Sequence, residues 1–315
     1  MNYSEVAVNV ITALKYCKGI GPAWINKNIS ALKDTNLLWE RVSSSISYKE
    51  LRFEDFLRYK ESVQHAIEQD EYADGVTVLG DKDFPSISDS IKGGERPVAL
   101  FYRGDISLLQ NSSKNIAVIG VLNPTDEIIE REHKFVSVLI SAGYNIISGL
   151  AKGCDSIAHK QTLEQDGITI AILPSTLKNI TPAENKQLAN QIVSHQGLLV
   201  TEYFEEATSK KELVDRFIKR DRLQAMFSKA ICLTASYAPN NQGNDSGSRH
   251  AMGKAKEYQI PRYVMYNKET DANNPLFDLN RSLLDDPNVR IITAKSLSEI
   301  SHGTKPNPTL FENKN

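Results

Sequence analysis

From residue 76 onward the chain repeats one pattern: a short, near-continuous apolar run followed by a longer stretch of helical periodicity. The runs fall at 76–79, 98–102, 116–119, 144–147, 169–173, 198–201, 230–233, 262–265 and 289–292. Runs that lack an apolar/polar alternation are buried on both faces. When helices separate them, the solution is a mostly parallel sheet with helices on either side. The pattern therefore predicts a Rossmann-like, doubly wound α/β domain over 73–302, with its ligand site at the carboxyl ends of the strands.

Residues 1–72 lack that pattern and read as a small all-α unit. Val6, Val8, Val10, Ile11 and Leu14 lead into Gly19-Ile-Gly-Pro22, which breaks one helix and starts another. Such a corner resembles the hairpin of helix–hairpin–helix and SAM-like modules, some of which grip a phosphate, and it equally fits a plain helix–turn–helix core. Residues 40–69 continue as charged amphipathic helix, 70–75 serve as linker, and 303–315 form a loose polar tail.

Bulk properties exclude several classes. At 315 residues with 40% hydrophobic and 24% charged content, the chain suits a globular protein with a large core. No apolar run approaches a membrane span and the first residues lack a basic leader, so a cytoplasmic location without a membrane partner is expected. Cys17, Cys154 and Cys232 are widely spaced, which predicts reduced thiols and no zinc knuckle. The net charge of −2 means that any nucleic-acid site must come from local clustering.

Three stretches supply such clustering. The first is Ser148-Gly-Leu-Ala-Lys-Gly153, a glycine turn between a strand and a helix. It fits a phosphate cradle, with Lys152 adding charge, and it also fits a tight βα turn with no ligand. Asp155 is placed to accept bonds from this turn and His159 to pack beneath it; a metal shared by the two would need a third ligand that the sequence does not supply. The second is the loop 243–248, whose Ser246, Gly247 and Ser248 precede Arg249 and His250. It reads as an anion loop or as an ordinary Asn/Gly surface loop. The third is a helix whose Arg216, Lys219 and Arg220 share a face, with Arg222 close behind and Val214, Phe217, Ile218 and Phe227 turned to the sheet. A solvated charged face is the simpler reading of that helix. Brought to one rim, the three stretches would form a cationic trough suited to a row of phosphates. No G-x-G-x-x-G follows the first strand of the alternation and no P-loop is present, so no nucleotide cofactor is expected.

These residues resemble the DprA/Smf family of DNA-processing proteins from about residue 76 to 300. The most specific segment is Ser148-Gly-Leu-Ala-Lys-Gly-Cys-Asp-Ser-Ile-Ala-His159, which matches the family's S-G-L-A-x-G-x-D-x-x-A-H at every fixed position. Val98-Ala-Leu-Phe-Tyr-Arg-Gly104, Ile116-Ala-Val-Ile-Gly120, Thr201-Glu-Tyr203, Arg220-Asp-Arg222 and Ser246-Gly-Ser248 follow in order. The resemblance implies a non-enzymatic, commonly dimeric, single-stranded-DNA binder that helps load a RecA-type recombinase. Its groove would use Ser148, Gly149, Lys152, Gly153, Lys219, Arg220, Arg222, Ser246, Gly247, Ser248 and Arg249.

The chain also departs from that pattern. Leu122 stands where the family usually has a DNA-contacting arginine, Asp221 replaces the asparagine of R-N-R, and no winged helix is read after the Rossmann region. These departures favour a second expectation: a repurposed regulator, such as the antitoxin or sensor partner of a defence toxin. A nucleotide-hydrolysing Rossmann enzyme is the third. It is opposed by the lack of a P-G-G-x-G-T-x-x-E motif.

Overall fold

The computed structural model describes residues 1–45, 52–239 and 247–301. Ser246, most of the 243–248 loop and the 303–315 tail lie outside these residues. No described helix is long and apolar enough to cross a membrane.

The N-terminal unit begins with α1 (Glu5–Tyr16), capped by the Ser4 hydroxyl, which accepts from Ala7 N at 3.1 Å. Gly19 holds φ 85° in the turn that follows. Pro22 then sits at the first position of α2 (Pro22–Lys27), where its missing N–H costs nothing. α3 (Thr35–Ser45) and α4 (Phe53–Glu68) stand where the sequence predicted one charged helix. α4 buries Phe56, Val63 and Ile67, a stripe at helical spacing.

All nine apolar runs form strands, with bounds within two residues of the sequence reading. They are β1 (Gly75–Val78), β2 (Ala99–Gly104), β3 (Asn115–Ile119), β4 (Asn145–Ser148), β5 (Thr169–Ile172), β6 (Leu198–Thr201), β7 (Ala230–Leu233), β8 (Arg262–Val264) and β9 (Val289–Ile291). Between them lie α5 (Asp126–Ser141), α6 (Cys154–Glu164), α7 (Lys186–Ser194), α8 (Lys210–Met226), α9 (Ser248–Glu257) and α10 (Asp278–Leu283), with α11 (Ala294–Ser301) after β9. The strands make one sheet in the order β1-β2-β6-β5-β4-β3-β7-β8-β9. The pairs β1–β2 and β2–β6 are antiparallel and the remainder are parallel.

The period of two along β3 distributes its side chains between two cores. Ile116 and Val118 pack with Phe135, Val136 and Leu139 of α5. Ala117 and Ile119 face Leu223, Met226 and Phe227 around the end of α8 and Met252 of α9. The N-terminal helices share a third apolar cluster with Val76, Val78, Leu173 and Leu188, and also with Leu150 of the turn after β4. Leu150 is fully buried yet held at φ 59°, so its side chain anchors that turn in the helical unit's core despite an unfavourable backbone.

Candidate nucleic-acid interface

The chain winds from β3 through β4 and β5 to β6, then crosses back to lay β7 on the other side of β3. That reversal leaves a crevice outside the carboxyl ends of β3 and β7, where open α/β sheets bind ligands. A cavity of about 720 Å³ occupies it. Its walls come from Gly120–Asn123 after β3, Ala151 and Asp155 after β4, the outer side of α8, Tyr237 after β7, and the start of α9. Three large apolar side chains stand exposed at its lip: Leu122 (57%), Val214 (57%) and Ile218 (42%).

The turn after β4 is tied to itself and to β3. Ser148 is fully buried and its hydroxyl donates to Val118 O at 2.6 Å, so it is not presented to a ligand. Asp155 Oδ2 accepts from Gly149 N at 3.1 Å and Ala151 N at 3.2 Å, which uses two of the turn's amides. Burial pushes the Asp155 carboxyl up, against the opposing pull of the Arg220 charge. Gly149 leaves room for the Arg220 guanidinium that lies against it: a Cβ there would be 1.4 Å from Nη1, so the guanidinium would have to move. Gly153, at φ 71°, caps α6, and Cys154 N donates to Val121 O at 3.0 Å, clamping the helix start to the β3 turn. Lys152 is half-exposed and its ammonium lies 2.5 Å from Glu184 Oε1. Pairs this exposed contribute little, so the ammonium is easily exchanged to another anion.

His159 is fully buried, with Nδ1 2.6 Å from Thr169 Oγ1. Burial first, and then the Arg220 charge, pull its pKa from 6.5 down to about 3. An NMR titration of the ring is expected to show it neutral from pH 8 down to about pH 4. The unfolded chain protonates this ring near its ordinary pKa while the native ring stays neutral. The residue's contribution to stability is therefore constant above about pH 6.5 and is lost as pH falls from there towards 3. A ring that titrates near 6 in the folded protein would contradict this burial.

α8 differs from the sequence reading in which face it buries. Val214 and Ile218 face outward, while Arg216, Arg220 and Arg222 are buried. Counting back by helical steps from the buried Phe227 and Leu223 reaches Arg220 and Arg216. The register that anchors the helix's end therefore turns these guanidiniums inward as well. Arg216 donates to Glu212 Oε1 at 2.6 Å and lies 4.2 Å from the Tyr203 ring centroid. Arg222 makes a two-pronged pair with Glu202 at 2.6 and 2.7 Å and donates to Glu95 O at 2.7 Å. Only 3% of its side chain is exposed, so its guanidinium is committed to Glu202 and not offered to phosphate. Arg220 does reach the cavity, but between Ile172 O at 3.4 Å and Asp221 Oδ1 at 3.2 Å.

The expected shared cationic trough is thus replaced by a cavity with an apolar lip and a floor of Arg220 and carboxylates. Gly247, Ser248 and Arg249 line it at the start of α9, with Ser248 Oγ 3.3 Å from Gly120 O. Lys219 is exposed in a separate hollow shared with Glu95, Asp215, Ile218 and Lys254. Sequence reasoning did not single out Gln224 or Tyr237, and it named Leu122, Val214 and Ile218 without bringing them together at a lip. Val214 and Ile218 read as core from their helical spacing, and nothing in their identity says otherwise.

Comparison with known proteins bears on this arrangement. A family model described as DNA recombination-mediator protein A matches residues 75–283, from β1 to the end of α10. Protein Smf of Borreliella burgdorferi is 32% identical over 173 residues, covering 53% of this chain and 51% of that protein. DNA processing protein DprA of Bacillus subtilis is 30% identical over 135 residues, covering 43% of this chain and 44% of the other. The match therefore spans about half the length of these relatives. Among solved structures, DNA processing protein A of Streptococcus pneumoniae aligns with 95% of this chain and 98% of its own at a TM-score of 0.72 and 18% identity, a likeness of fold. A DNA processing protein A from Helicobacter pylori, studied for its single-stranded DNA binding mode, covers 72% of this chain and 94% of its own at a TM-score of 0.56 and 26% identity. With the family match running through every strand from β1 to β8, the chain belongs to the DNA recombination-mediator protein A family, the DprA/Smf proteins.

Proposed function

We propose that this chain binds single-stranded DNA and acts in DNA processing and recombination without catalysis, engaging the strand at the cavity between β3 and β7. The observation that carries the reading is the position of that cavity at the sheet's reversal point, with apolar side chains at its lip. Exposed apolar lips suit unstacked bases, which are available in single strands and hidden in duplexes. The family membership and the Helicobacter pylori relative support the same assignment. Loading of a RecA-type recombinase by a homodimer is the finer role that goes with it.

Because Arg216 and Arg222 are committed to carboxylates, the electrostatic share of binding falls to the exposed Lys152 and Lys219. Two phosphate contacts on a single strand correspond to a log–log salt slope of about −1.4, and Lys219→Ala should flatten it by about 0.7. Anisotropy titrations of a 5′-labelled oligonucleotide over a salt series measure both. No binding at low salt, or a steep slope untouched by Lys219→Ala, contradicts the reading. The internal pairing of these arginines also favours a second reading, a family member repurposed as the antitoxin or sensor partner of a defence protein. Absence of DNA binding together with rescue from a neighbouring gene's toxicity would select it.

A further inference from the structure

Among the cavity's described lining residues, one buried acceptor, Gln224 Oε1, and one buried donor, Arg220 Nε, are left without hydrogen-bond partners. Asp221 and Gln224, on successive turns of α8, both line the cavity and are 7% and 2% exposed. Gln224 Nε2 donates to Asp221 Oδ1 at 3.1 Å, and Arg220 Nε lies 3.2 Å from the same oxygen. Gln224 Oε1 is buried with no hydrogen-bond partner, Arg220 Nε is likewise left without one, and no described residue donates to Asp221 Oδ2. An acceptor buried without a donor costs about 1–3 kcal/mol, and native proteins hold few of them. Gln224 Oε1, on a side chain bonded to the Asp221 carboxylate, calls for a ligand that brings donors.

The surroundings narrow its class. A backbone phosphodiester carries only acceptors and would face the carboxylates of Asp221 and Asp155. A bare cation would face the Arg220 guanidinium. A planar group with two adjacent N–H donors beside one acceptor meets all three side chains at once, and the lip of Leu122, Val214 and Ile218 covers an apolar face. Among nucleobases, guanine alone carries that set on one edge: N1–H and N2–H as donors, O6 as acceptor.

We infer that the cavity is a guanine-reading subsite, in which Asp221 Oδ2 and Gln224 Oε1 accept from N1–H and N2–H while Arg220 donates to O6. The inference rests on the single-stranded-DNA reading above and adds base choice to it.

The test compares thymidine oligonucleotides carrying one internal guanine, hypoxanthine or thymine, with GMP as the free-nucleotide arm, by anisotropy and competition at pH 8. Burial pushes the Asp221 carboxyl up to about 7, so it is ionised there. The charged and titratable groups facing it are Arg220 on its own helix, Asp155 on α6, and Arg249 and His250 lining the cavity from α9. The guanine strand is expected to bind about tenfold more tightly than the all-thymine strand, from one added hydrogen-bond set to a charged acceptor. Hypoxanthine, which lacks only the amino group, should lose most of that gain, and Asp221→Asn should erase the preference. The hypoxanthine arm changes the ligand alone and does not depend on a variant folding. Equal affinity for all three strands overturns the inference and leaves the single-strand reading standing. Binding of GMP without strand binding keeps the guanine subsite and removes the strand reading, and no binding of any probe removes both.

Discussion

Arg222→Ala is expected to lower the unfolding free energy by about 3–5 kcal/mol, the cost of leaving a buried carboxylate without its partner. Glu202 is 12% exposed and both its oxygens are held by the guanidinium at 2.6 and 2.7 Å. The same guanidinium also holds Glu95 O and Lys219 O, so its loss releases the segment between β1 and β2 from α8. Urea denaturation measures the effect, and the apparent Tm should fall on the order of 10 °C. Arg222→Lys retains the charge but cannot reproduce the two-pronged geometry, and should recover only part of the stability. The double replacement Arg222→Met/Glu202→Leu should cost less than Arg222→Ala, because it removes the unpaired charge. If Arg222→Ala left stability unchanged while abolishing DNA binding, the residue would be a phosphate ligand after all and the buried pair would be wrong.

The second large effect is expected at Gly153. A Cβ there would lie 2.3 Å from Val121 O and 2.4 Å from Leu122 O, and the residue holds φ 71°. Gly153→Ala therefore combines left-handed strain with a collision against backbone that has no flexible end to move, at roughly 3 kcal/mol or more. Relief requires the β3 turn to retreat, and that turn is a wall of the cavity. Ligand affinity should fall together with stability. Gly143→Ala is the control: φ is 80° but nothing lies within 4 Å of the added carbon. It should show the conformational part alone, about 1–2 kcal/mol, with affinity unchanged. Equal losses in the two variants would mean that the close approach at Gly153 is unimportant.

The two predictions sit at opposite ends of what could be read from the chain. Gly153 is visible in Ser148-Gly-Leu-Ala-Lys-Gly153, because a strand that ends in glycines before a helix announces a tight turn. Arg222 misleads. Its spacing from Arg220 and Lys219 describes a basic helix face equally well in water or in a core, and the distinguishing partner, Glu202, lies 20 residues away after β6. α8 shows the same limit from the other side: Val214 and Ile218 look like core residues and are exposed, because the helix's register is set by Leu223 and Phe227.

By itself the sequence determined the nine strands, the mostly parallel character of their sheet and the turn that opens α6, since runs of apolar residues and obligatory glycines are local signals read at periods of two and 3.6. Tertiary structure alone decided which charges remain free. An arginine's role depends on the carboxylate that reaches it: Arg216 and Arg220 meet Glu212 and Asp221 of their own helix, but for Arg222 the fold carries Glu202 in from after β6.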